Sequence, residues 1–224
     1  MNQPAPSTSA ATATSAPRAE FRVFGIGVID AVQARMWSAG AVLHSTRVMK
    51  PETYVLSRHA DDANVKLRDG LLDIKAKTLV TPEGYEVYAP LGKFSFPLDA
   101  KARALLSQCL RVKDVSREDT LDEAALICRA GTHPDLAVAR VEKTRYGFSV
   151  DGVICEYAIV LVNGERVETA CCETTDTAML ARVIGKLGLK AWSNTSYVAA
   201  LQRMVGFPRE PNRNEPKETM SCPK

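Results

Sequence analysis

Three short segments of this chain carry two cations on alternate positions. "NVKLR" supplies Lys66 and Arg68, "LLDIKAK" supplies Lys75 and Lys77, and "RVEKTR" supplies Lys143 and Arg145. Alternate residues of an extended strand share a face, so each pair projects together. The formal net charge is only +3, so the pairs are not a by-product of general basicity. In a half-buried sheet they would form the wet face, with Val65, Leu67, Ile74 and Ala76 as core. In a sheet that closes on itself the same face becomes a lumen, which must be wet or filled by an anion. A triphosphate suits such a lumen, because planar Arg grips two oxygens while Lys acts as a point charge.

The elements that must position these residues follow from local pattern. "EFRVFGIGV" reads as a strand running into a turn, and "IDAVQARMWSAGAVL" has helical spacing. Between His44 and Phe96 the segments "TYVLSR", "NVKLR", "LLDIKAKTLV", "GYEVYAPL" and "KFSFPL" are separated by "DDAN", "RDG" and "TPEG", which is the texture of an antiparallel meander. Two helices follow, "DAKARALLSQCLRV" and "REDTLDEAALICRA", with Asp99 and Asp119 as expected caps. A second meander, "LAVARVEKTRYGFSV", "VICEYAIVLV" and "ERVETACCE", turns at Asp151-Gly152 and Asn163-Gly164. The helices "DTAMLARVIGKLGL" and "NTSYVAALQRMVGF" close the fold, the first ending at Gly188 and the second opening at Asn194 or Thr195. Two meanders, each followed by helix, predict an α+β fold: one antiparallel eight-stranded β-barrel with flanking helices.

The stretch "ETYVLSRHADDANVKLRDGLLDIKAK", followed by "RVEKTRYGF" and a carboxylate-bearing strand, resembles the CYTH, or triphosphate tunnel metalloenzyme, superfamily. The resemblance implies an eight-stranded tunnel whose cations hold a triphosphate and whose acids hold Mg²⁺ or Mn²⁺; members hydrolyse triphosphates or cyclise ATP. By position, Lys66, Arg68, Lys75, Lys143 and Arg145 become the catalytic and phosphate-binding set, joined by Lys77 and Arg22 as phosphate ligands. Glu20, Glu156, Glu168 and Glu173 become the metal candidates. Glu168 and Glu173 lie an odd number of residues apart, so a regular strand turns only one inward. Glu173 has small face-mates in Val167, Thr169 and Cys171, whereas Glu168 fits the distance from Gly164 better. The family's E-x-E-x-K opening is altered to "EFRVF": Glu20 is kept, Arg22 replaces the second carboxylate and Phe24 the lysine. A cation at a metal-ligand position favours anion binding over metal catalysis.

Composition narrows the remaining classes. Residues 1–19 and 208–224 are Pro-, Ser- and Thr-rich or charged, and both are expected to be disordered, leaving 20–207 as one domain. No apolar run reaches the roughly 20 residues that span a bilayer, and no secretory signal opens the chain, so a soluble, cytoplasmic protein is expected. The six cysteines show no C-x-x-C spacing and the three histidines no ligand spacing. A pI of about 8.5 and 6% aromatic residues argue against a nucleic-acid partner. Three functions stay open: a tunnel that hydrolyses a triphosphate with a divalent metal, a tunnel that binds phosphate without turnover, and an unrelated scaffold with solvated cations that uses Trp192 and Tyr197 for protein contacts. The sequence leaves a homodimer open.

Overall fold

A computed structural model describes residues 17–116 and 120–207. In chain order the elements are β1 (Arg18–Phe24), α1 (Val28–Met36), β2 (Val42–Val48), β3 (Glu52–Ser57), β4 (Ala63–Arg68), β5 (Leu71–Val80), β6 (Glu86–Ser95), α2 (Ala100–Leu110), α3 (Glu123–Thr132), β7 (Leu136–Val150), β8 (Val153–Val162), β9 (Glu165–Thr174), α4 (Thr177–Lys186) and α5 (Tyr197–Met204). Eight strands pair in the ring β7-β3-β4-β5-β6-β1-β9-β8 and return to β7, every pairing antiparallel. The ninth, β2, shares an edge of β7 with β3. Residues 136–141 of this 15-residue strand take β3 and residues 144–149 take β2.

The hairpins are set by residues that tolerate a left-handed backbone. Asp69-Gly70, Asp151-Gly152 and Asn163-Gly164 all have positive φ at both positions, the geometry that matches the strands' own twist. They fix the register of β4 on β5, β7 on β8 and β8 on β9, and so determine which side chains face the lumen.

Two stretches of the outer face are apolar and covered by helices. Val65, Leu67, Leu72 and Ile74 pack beneath α2 and α3 against Leu106, Leu110 and Leu126. Phe21, Val23, Cys155 and Cys172 pack beneath α1 and α4 against Val32, Leu180 and Val183. A third cluster lies inside the barrel, where Val198 and Leu201 of α5 meet Leu56, Val141, Val160 and Val162 and form an apolar plug. Each fully buried Leu or Val adds roughly 1.5–3 kcal/mol relative to exposure.

The structure departs from the sequence expectations at several points. The first helix ends at Met36, Gly40 turns left-handed at φ 68°, and Val42–Val48 is strand although "SAGAVL" keeps helical spacing. "GYEVYAPL" and "KFSFPL" form a single strand, Glu86–Ser95, whose register against β5 slips between Ile74 and Lys75. The cap of α3 is Asp122, which accepts from Ala125 N at 2.7 Å; Asp119 lies outside the described residues. The cap of α5 is Ser196. Arg18 and Ala19 belong to β1, so the folded unit starts before residue 20. The expected disorder of 1–16 and 208–224 falls outside the described residues. No helix among the described residues is long and apolar enough to cross a membrane.

Candidate functional site: a two-walled charged lumen

The pleat sends the paired cations inward. A cavity of about 440 Å³ is lined by five of them, Lys66, Arg68, Lys75, Lys143 and Arg145, together with Arg22 and Arg47, against the carboxylates Glu20, Glu156 and Glu173. Val65, Leu67 and Ile74, between the cations in sequence, are buried on the opposite side. The cations are therefore not a solvated outer face, which removes the unrelated scaffold with solvated cations.

One wall, from β3, β4 and β7, is organised around Glu52. This carboxylate is only 2% exposed and accepts from Lys66 Nζ at 3.1 Å, from Arg68 at 3.3 Å and from Lys143 Nζ. The Tyr54 hydroxyl adds a fourth contact at 3.3 Å. Burial alone would raise the Glu52 carboxyl, but Lys143 and Lys66 outweigh it and pull it down to about 2. At the ammoniums burial prevails. Lys143 is lowered to about 8 despite Glu52, with Lys66 adding repulsion, and Lys66 is lowered for the same reasons, with Arg68 as its like-charged neighbour. Arg68 bridges onward to Asp73 at 3.1 Å. The Lys143 ammonium also lies 4.6 Å from the centroid of Tyr197, which stacks on Tyr54 at 5.5 Å.

The other wall, from β1, β9 and β8, is organised around Arg22. Arg22 sits opposite Cys171, which sits opposite Glu156, and Glu20 sits opposite Glu173. Its guanidinium donates to Glu20 at 2.6 Å, to the Cys171 sulfur at 3.0 Å and to Thr169 at 3.4 Å, with Glu156 at 3.8 Å. Burial opposes its charge, yet Cys171, Glu20 and Glu156 hold its pKa well above the ordinary value. Glu156 is shared with Arg145, which bonds it from β7. Burial pushes the Cys171 thiol up. Burial and then Glu20 also raise the Glu173 carboxyl, which Arg18 meets at 3.5 Å.

Two predicted residues fall elsewhere. Glu168 points outward, where its carboxylate accepts from Gly27 N at 3.1 Å and Ile29 N at 3.2 Å and caps α1; Glu173 is the inward acid of the pair. Lys77 shares a face with Lys75 but does not line the cavity, being held by Glu86 at 3.1 Å and Asp61 at 3.8 Å. Five residues of the site were missed. Glu52 and Tyr54 alternate in "ETYVLS" as the cations do in their strands, and Asp73 shares the face of Lys75, so their pattern was visible in the sequence. Tyr197, which the sequence offers as a protein-contact aromatic, has its ring under Lys143 and Arg22. Arg47 lies on β2, which the sequence pattern merges with the first helix; it stands opposite Arg145 on β7, a like-charged pair whose repulsion an anion would relieve. Among the described residues the side chains of Arg47 and Lys75 make no hydrogen bond or ion pair, although Lys75 helps to lower the Glu173 carboxyl.

The carboxylates do not suit a divalent ion. Mg²⁺ needs unobstructed oxygens near 2.0–2.1 Å, and the Arg22 guanidinium already lies between Glu20 and Glu156. A double charge 4 Å from that guanidinium is repelled by about 8 kcal/mol at an effective dielectric near 20, twice the unit-charge value. Among the described residues no group of three or more His, Cys, Asp and Glu is arranged to hold a metal.

No protein-family model matches the chain, and no curated protein matches it. Among solved structures it is similar to HpAC1 of Hippeastrum, described as an adenylyl cyclase candidate with a dominant triphosphatase activity, at TM-score 0.45 and 13% identity over 84% of this chain and 95% of that one. It is similar to PH1012 of Pyrococcus horikoshii OT3 at TM-score 0.44 and 14% identity, over 81% and 97%. A Bacillus halodurans protein described as an adenylate cyclase candidate gives TM-score 0.43 and 13% identity, over 83% and 96%.

Proposed function

We propose that this chain is a divergent triphosphate-tunnel protein whose lumen binds a triphosphate-bearing small molecule. The observation that carries the reading is the convergence of cations from β2, β4, β5 and β7 on one cavity, where no side-chain ion pair holds Arg47 or Lys75 among the described residues. Cations that face one cavity repel one another, and a polyanion relieves that repulsion at several points at once. Lys66, Lys143 and Arg68 are pre-oriented by Glu52, so little side-chain entropy is lost when phosphate arrives. Arg145 would hold a phosphate with one edge of its guanidinium while Glu156 fixes the other.

Recognition is better supported than metal-assisted turnover, because both Glu20 and Glu156 are committed to arginines. If turnover occurs, Lys66, Arg68, Lys75, Lys143 and Arg145 are the groups that would stabilise charge on the departing phosphate. Calorimetric titration with tripolyphosphate, ATP and thiamine triphosphate tests the reading, with affinity expected to fall as salt rises. The double variant Arg47→Ala/Lys75→Ala is expected to lose affinity without losing stability. Unchanged affinity in that variant, or no binding of any of the three by the wild type, ends the proposal. Phosphate release in the same mixtures, with and without Mg²⁺ or Mn²⁺, separates turnover from binding.

A further inference from the structure

We infer that Arg22 is a built-in replacement for a divalent cation, so that this lumen takes its polyphosphate without a metal ion. The inference rests on the triphosphate reading for its ligand but on the Arg22 wall for its substance. Glu20, Glu156 and Glu173 sit on three adjacent strands and face the same cavity. Arg145 bonds Glu156 from β7 and Arg18 meets Glu173 at 3.5 Å, but without Arg22 the three acids would keep a negative excess at Glu20, repel an entering phosphate and attract a divalent ion. Arg22 stands among them on β1, and its nitrogens reach Glu20 at 2.6 Å, Cys171 at 3.0 Å and Thr169 at 3.4 Å, with Glu156 at 3.8 Å. A planar guanidinium can satisfy this spread-out set, whereas a small ion needs its ligands drawn to one point.

The surroundings fix the guanidinium in place. The side chain of Arg22 is only 10% exposed, and its ring neighbour Tyr197 lies 5.2 Å from the guanidinium carbon. The backbone on either side is pinned, since Arg22 N donates to Asn194 Oδ1 at 2.9 Å and Thr195 N donates to Arg22 O at 2.8 Å. Phe24, next on the same face, meets Tyr197 edge-on at 5.3 Å and fills the adjoining space with apolar volume. The substitution is therefore a packed assembly of Arg22, Phe24, Tyr197 and Cys171. A cation on a tether is always present, so the site needs no divalent ion to take its ligand.

The test uses the full chain and two probes. Titrated with Mn²⁺ alone, wild-type protein is expected to leave the free-ion paramagnetic resonance signal unchanged. Arg22→Glu and the milder Arg22→Gln, each checked for folding by circular dichroism, are expected to reduce it, and adding Glu156→Gln is expected to abolish that gain. Titrated with tripolyphosphate, the wild type is expected to bind at least as tightly in EDTA as in excess Mg²⁺, because the ion neutralises the ligand. Arg22→Glu is expected to need the metal. Mn²⁺ uptake by wild type that Glu156→Gln abolishes, a drop of tenfold or more in wild-type tripolyphosphate affinity on adding EDTA, or folded Arg22 variants that take no Mn²⁺ would each overturn the inference. Absence of tripolyphosphate binding under every condition sinks the triphosphate reading instead, and the Mn²⁺ titrations still decide the role of Arg22.

Discussion

The two walls of the lumen solve opposite charge problems with the same geometry. On the β3–β4–β7 wall one buried acid, Glu52, holds three cations; on the β1–β9–β8 wall one buried cation, Arg22, holds two acids and faces a third. The first wall keeps surplus positive charge and can attract an anion, while on the second Glu20, Glu156 and Glu173 are met by Arg22, Arg145 and Arg18, so that it does not repel one. The contrast shows that counting charges along the chain is a poor guide to the potential in a cavity, because it is the pairing of charges from distant strands that decides which of them stay uncompensated.

The largest expected effect comes from removing the centre of the positive wall. Glu52→Ala leaves Lys66, Arg68 and Lys143 facing one another without a counter-charge, and a loss of about 3–5 kcal/mol is expected in urea unfolding. A loss below about 1 kcal/mol would mean these cations are already solvated, and the two-wall contrast would fail. Acid probes the same residue. The Glu52 carboxyl sits at about 2 in the fold against 4.5 when free, so its contribution is fully present above about pH 4.5 and is lost as pH falls toward 2. The change is on the order of 3 kcal/mol, and Glu52→Gln should remove that slope from a stability-against-pH curve.

Binding effects come next. Arg47→Ala or Lys75→Ala singly should weaken tripolyphosphate by about tenfold, the equivalent of one charge-assisted contact. Stability should change by no more than about 0.5 kcal/mol. Lys143 sharpens the comparison through protons. Its ammonium titrates near 8 rather than 10.5, so the burial cost on its charged form acts below pH 8 and is relieved as pH rises through that value. An arriving polyanion raises that pKa. Calorimetry at pH 8 in buffers of different ionisation enthalpy should therefore show uptake of up to about half a proton per ligand, with affinity falling toward pH 9. Lys143→Met should abolish the uptake. The smallest expected effect is outside the lumen: Glu168→Gln should cost roughly 1 kcal/mol through the α1 cap and leave tripolyphosphate affinity unchanged. A large affinity loss there would return Glu168 to the site.

Much of this arrangement was legible as alternation. Lys66 and Arg68, Lys75, and Lys143 and Arg145 reach the lumen because the pleat has period two, and the turn residues Asp69-Gly70, Asp151-Gly152 and Asn163-Gly164 hold the register. Glu52 was legible in principle, since "ETYVLS" alternates in the same way, but an isolated acid on a strand has no partner in the sequence to mark it. Arg47 was hidden by β2, because a run of Ala, Gly and Val satisfies helix and strand periods equally well over so few residues. Glu168 and Glu173 could not be ranked from spacing alone, and the pairing of β9 with β1 and β8 separated them.

The sequence by itself determined the two meanders, their hairpin turns and the shared faces of the paired cations, because each of these depends on neighbours a few residues away. Only the tertiary structure decided that Glu52 would gather Lys66 with Lys143, which is 91 positions from Glu52, and that Arg22 would stand among Glu20, Glu156 and Cys171. The physical reason is barrel closure: bringing β7 against β3 and β9 against β1 places charges from distant strands within 4 Å, at a depth where burial and partners, not residue type, set the charge each group carries.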